Sequence, residues 1–242
     1  MSKTPVITRK DMKEPDRFQQ VATQAAGWIA ARKRHVVVAG AVVVGLLVVV
    51  AVLAAVERHR AEKAGAAAAE MLAAVAGEIS SVPIPGLAGP VFATDEERLR
   101  AVIAAADGIL KDHPRGGAAD LAALARGDAL LRLRDWAGAG ASYERFLQDA
   151  PRSDSLRFGA LEGIALADEG KGDVDAAVRA YERMAREAPA FADRADLERA
   201  RLLARAGRAA DARALLASFP ERHKQSLLAG EASSDLARLG GK

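Results

Sequence analysis

The sequence predicts an all-α protein: one N-terminal helix that crosses a membrane, followed by an α-solenoid of stacked helix pairs. Three observations predict it. Residues 36–56 contain no polar side chain. Prolines 114, 151 and 189 recur at intervals of 37 and 38 residues, each after an apolar-periodic stretch. Half the chain is hydrophobic but only 4% is aromatic, so Ala, Val and Leu carry the apolar surface, which favours closely approaching helices over a β sandwich.

Residues 1–35 form a basic head, expected in the cytoplasm. They hold eight Lys/Arg against three Asp/Glu, whereas residues 57–242 hold 27 against 29. The high isoelectric point therefore belongs to the head and not to a basic folded domain, so the charge pattern predicts no nucleic-acid partner. Phe18, Val21, Ala22, Ala25 and Ile29 share one helical face, and Pro15 suits a first turn. Trp28 precedes the cationic cluster, where an aromatic ring rests at headgroup level. An interfacial helix and a partly ordered tail both fit this pattern.

Residues 36–56, from Val36 to Val56, read VVVAGAVVVGLLVVVAVLAAV. At about 1.5 Å per residue they span roughly 31 Å, the hydrocarbon thickness of a bilayer. A signal peptide would have a shorter head and a shorter apolar stretch. Arg32, Lys33 and Arg34 abut the span and five more cations precede them. Only Arg58, Arg60 and Lys63 follow closely. This asymmetry keeps the N-terminus in the cytoplasm and sends the C-terminal part across the membrane.

Residues 57–81 read as a membrane-proximal helix, with Ala68, Met71, Leu72, Val75 and Ile79 as its apolar stripe. Residues 82–94, VPIPGLAGPVFAT, read as a Pro/Gly linker. Thr94 and Glu97 have capping-box spacing, which starts a new helix at Asp95.

Residues 95–242 form the repeat domain. RDWAGAGASYERFLQDAP at 134–151 and GDVDAAVRAYERMAREAP at 172–189 share seven of eighteen positions without a gap. Ala139, Tyr143 and Pro151 stand in the same register as Ala177, Tyr181 and Pro189. A small alanine lets two helices approach, the tyrosine packs into the next pair, and the proline stops the helix. Gly127 lies on the preceding helix. A degenerate third unit carries Gly207, Ala212 and Leu216, with Pro220 closing it four residues early.

These residues resemble the tetratricopeptide repeat, whose units are helix pairs of about 34 residues. The chain departs from that motif at Ala123, where the repeat has a large aromatic, and in its spacing. On the first helix of the first unit, Leu121, Leu124, Asp128 and Leu131 form the candidate groove, followed by Glu162 and Glu169 in the second. They lack the Lys and Asn of a carboxylate clamp. The leucine row predicts an apolar occupant, either a partner segment or the chain's own helix 57–80.

There is no cysteine, so no disulfide framework, thiol nucleophile or Cys-based zinc site exists. The four histidines lack metal-ligand spacing, and no Walker A, G-x-S-x-G or G-x-G-x-x-G sequence occurs. The expectation is a non-enzymatic chain with no cofactor, no metal and no small-molecule substrate.

The plan of basic head with KEPDRF, single span and Ala-rich repeat domain resembles the YfgM-like family of bacterial inner-membrane proteins with a periplasmic tetratricopeptide-like domain. That resemblance implies an accessory, chaperone-like role at the Sec translocon, beside a membrane-anchored periplasmic prolyl isomerase or envelope clients. An assembly scaffold for another envelope complex, in secretion or division, is the alternative reading.

Overall fold

The computed structural model describes residues 21, 24, 28, 31–82, 86 and 88–240. The protein is all-α apart from one very short strand pair. Two compact units divide the chain, Met1–His59 and Arg60–Lys242.

Helix α1 runs Lys33–Val75 and contains the apolar stretch. Among the described residues it is the helix long and apolar enough to cross a membrane. Its side chains from Val42 to Leu53 are exposed, including ten large aliphatic ones, as a lipid-facing helix would require. Arg32 lies over the Trp28 ring at 5.1 Å, a cation–π contact at the cationic end. The remaining residues of the expected head helix, Phe18, Ala22, Ala25 and Ile29, lie outside the described residues.

The second unit begins with the last part of α1. Here the expectation of a helix through residue 81 needs correction, because α1 ends at Val75. Gly77 stops it where the Phe92 ring leaves no room for a Cβ. Strand β1 (Glu78–Ile79) then pairs in parallel with β2 (Val91–Phe92), so the 82–94 segment includes an ordered return. The buried face of α1 is also narrower than the expected stripe. Ala68, Met71 and Ala74 are buried, while Leu72, Val75 and Ile79 are exposed.

Helix α2 (Asp95–Asp112) starts where the capping spacing placed it. The Glu97 N–H donates to the Thr94 hydroxyl at 3.1 Å, and the Glu97 carboxylate accepts from the Ala93 N–H at 2.9 Å. The reciprocal bond thus reaches one residue further out than the standard box. Leu99, Val102, Ala106 and Ile109 of α2 join Ala68, Met71 and Ala74 in one apolar cluster. Arg98 donates to the Val75 carbonyl and satisfies an orphan acceptor at the α1 terminus.

Then come α3 (Gly117–Arg132), α4 (Trp136–Asp149), α5 (Arg157–Gly170), α6 (Val174–Glu187), α7 (Ala192–Arg205), α8 (Ala209–Arg222) and α9 (Ala229–Gly240). Short turns return each helix against its predecessor, and α3 also touches α5. Asp135 and Asp173 cap α4 and α6, accepting from the Gly138 and Ala176 N–H groups at 3.0 and 2.9 Å. These caps stand 38 residues apart, as do the tyrosines that follow them.

The turns repeat in detail. Gly172 and Gly207, each before a helix, share φ = 79°. Their counterpart in the first unit is Arg134, at φ = 62°. Pro151 and Pro189 stand one residue beyond the C-caps Ala150 and Ala188, and Pro114 one beyond His113. Pro220 differs from expectation: it sits inside α8, which continues to Arg222. Its ring removes one N–H near the end of the helix, and the terminal turn still closes through the His223 N–H to the Phe219 carbonyl at 2.9 Å.

Candidate functional site

The repeat-defining residues meet at the junctions between helices. Ala139, Tyr143, Ala177, Tyr181 and Ala212 are buried. The Tyr143 ring covers Gly127 of α3, where a Cβ would stand 2.7 Å from it, and also covers Gly163 of α5. Tyr143 therefore joins its own helix pair to the next one. Gly163 was not singled out in the sequence; its signal was a helical glycine between the two tyrosines. Gly207 supplies the left-handed turn before α8.

The hydroxyl ends of the two tyrosines reach carboxylates. Tyr143 donates to Asp128 at 2.7 Å, and Tyr181 donates to Glu169 at 2.8 Å. Burial and the adjacent carboxylates push both phenols far above the ordinary tyrosine range. Burial pushes the Asp128 carboxyl up, partly offset by the Tyr143 hydrogen bond.

The candidate groove residues are not gathered into one apolar cleft. Leu121 is half-buried against the cluster that contains Ala68 and Met71. Leu124 and Leu131 are half-buried against the central core with Tyr143 and Phe146. Asp128 is exposed. The row divides by helix face: Leu121 shares its side of α3 with Ala118, Ala122, Ala125 and Ala129, which pack in the α1–α2 cluster, while Leu124 and Leu131 turn toward the core with α4 and α5. The chain's own α1 segment thus covers part of the apolar surface around α3.

The 38-residue register places Glu162, Leu166 and Glu169 of α5 where α3 has Leu124, Asp128 and Leu131. Acidic and apolar positions alternate between neighbouring helices. Both glutamates are ion-paired to α7: Glu162 with Arg194 at 2.8 Å and Glu169 with Arg205 at 2.5 Å. Leu166 is 41% exposed.

The outer pairs lock successive helices. Arg157, almost fully buried, donates to the Leu147 and Ala150 carbonyls at 2.9 and 3.0 Å and to Glu187 at 2.9 Å. Arg183 bridges Glu187 at 2.8 Å and Glu144 at 2.5 Å. Asp196, buried in α7, accepts from Arg222 and meets His223 Nε2 at 2.8 Å. Among the described residues, no group of three His, Asp or Glu stands where it could share a metal ion. The surface around these helices is built from half-buried leucines, carboxylates and arginines. No known family model and no curated protein sequence matches the chain.

Proposed function

We propose that this chain is a membrane-anchored protein-interaction module, a tetratricopeptide-like solenoid held at the cell envelope by residues 36–56. Its N-terminal head is cytoplasmic, and its helical domain lies on the periplasmic side of a bacterial inner membrane. The observation that carries the reading is the repeated junction: Asp135, Ala139, Tyr143 and Asp173, Ala177, Tyr181 build the same cap, close approach and wedge in successive helix pairs. Units that bury their faces only by stacking create an extended surface for other proteins. The resemblance in overall plan supports an accessory role for clients at the Sec translocon, beside a prolyl isomerase.

The test is a pull-down of the full-length protein from native membranes in mild detergent, read by mass spectrometry. Enrichment of translocon subunits with a periplasmic isomerase is the expected result. One different envelope complex, recovered in fixed stoichiometry without the translocon, would replace the accessory role by a scaffold. Recovery of no specific protein would remove the interaction reading.

A further inference from the structure

The two tyrosine–carboxylate pairs differ in one respect. Glu169 accepts from Tyr181 and also from Arg205 of the next helix pair, so its charge is compensated. Asp128 accepts from Tyr143 and, among the described residues, has no cation within ion-pair distance. Helix α5 cannot provide one. The cation within its Arg157–Gly170 span is Arg157, which is buried and fully engaged with carbonyls and Glu187. The residue on α5 in register with Asp128 is the exposed Leu166.

We propose that Asp128, with Leu124 and Leu131 on the same helix and Leu166 at the matching position of α5, docks a protein segment that presents one Arg or Lys side chain flanked by apolar residues. The cation would complete the Asp128–Tyr143 pair from outside, as Arg205 completes Glu169–Tyr181 from within. Charge complementarity selects the occupant. An anionic segment meets the uncompensated Asp128, whereas a cation gains an ion pair whose acceptor is already oriented by the Tyr143 hydroxyl. The apolar neighbours contact the half-buried leucines, and the stem of the basic side chain lies along Leu166. Arginine fits best, because its planar fork can bond a carboxylate through two N–H groups.

This site rests on the protein-interaction reading, and its test separates the two. Two fluorescein-labelled nonapeptides are compared by anisotropy on the full-length protein in detergent micelles. They share the flanks Ala-Leu-Ala-Leu and Leu-Ala-Leu-Ala and differ in a central Arg or Glu. The Arg peptide is expected to bind about tenfold more tightly, with the preference shrinking as salt rises from low to molar concentration. Asp128→Asn keeps an acceptor for Tyr143 but should abolish the preference. Leu166→Arg, which supplies the cation from the chain itself, should weaken the Arg peptide similarly. Equal binding of the two peptides, or an unchanged preference in Asp128→Asn, overturns the site. If the membrane pull-down partners persist in Asp128→Asn while the peptide preference was never present, the interaction reading stands and this docking site falls.

Discussion

The Tyr143 ring lies so close to Gly163 that a Cβ there would stand 2.4 Å from both Cε2 and Cζ. The same ring faces Gly127 on its other side. One aromatic residue thus fills the seam of three helices, and two glycines make the space for it.

Gly163→Ala should therefore destabilise the domain by about 2 kcal/mol, since a buried ring has nowhere to shift. Gly159→Ala, four residues earlier on α5, meets nothing within 4 Å. It should stabilise by about 0.5–1 kcal/mol through lost backbone freedom of the unfolded chain. Thermal melts of the full-length protein in detergent, followed by circular dichroism, compare the two. Equal effects would mean that Tyr143 is not the wedge.

Arg134 occupies the left-handed conformation that glycine holds at 172 and 207. A side chain there costs roughly 1–2 kcal/mol. Arg134→Gly should raise the melting midpoint by a few degrees. Gly172→Ala, which imposes the same conformation on a new side chain, should lower it.

Arg157 serves two carbonyls at the end of α4 and the Glu187 carboxylate from a nearly sealed position. Replacing it by Met leaves buried acceptors without donors, at a cost of about 3 kcal/mol. Arg183→Met, on a more exposed pair, should cost less than about 1 kcal/mol. Urea titrations of both variants measure the difference.

Acid should loosen the stack. Burial works against ionisation of Glu187, yet hydrogen bonds from Arg183 and Arg157 outweigh it and hold the carboxyl below its ordinary value of 4.5. A carboxylate depressed by folding stabilises the native state above its unfolded pKa, and that contribution is lost as pH falls through the lower folded value. The melting midpoint should therefore decline as pH drops below about 4.5, and Glu187→Gln should flatten that decline. Asp128 and Asp120 act oppositely, because burial raises both and protonation relieves them.

The absence of cysteine makes the proposed orientation directly measurable. Ser2→Cys and Ser234→Cys each introduce a single thiol. In spheroplasts, a membrane-impermeant maleimide should label position 234 and spare position 2 until detergent is added. The opposite pattern would invert the topology.

Much of the fold is written locally. The apolar run 36–56, the Thr94 cap, the Asp135 and Asp173 caps and the prolines after α4 and α6 act through their own backbone neighbourhood, so their residue types and spacing suffice. The shared register of the two quoted segments is local too, because each is one cap, one helix and one stop. Where neighbouring elements compete, the chain alone misleads. The α1 stripe ends early because the chain turns at Gly77, against which the Phe92 ring packs too closely for a Cβ, and Glu78–Ile79 pairs instead with Val91–Phe92. Pro220 reads as a stop, yet packing of Leu216 and Phe219 against Leu197 and Ala200 carries α8 past it.

Sequence by itself determined the helical class, the apolar helix long enough for a bilayer, the turns at Pro114, Pro151 and Pro189 and the buried tyrosines, since hydrophobic period, capping and proline chemistry are properties of short stretches. Only the tertiary structure decided which carboxylates have partners. Glu162, Glu169 and Asp128 look alike in the chain, but arginines from α7 reach the first two and no cation from α5 reaches the third. Ion pairing depends on which helix lies beside which and in what register, and stacking, not composition, sets both.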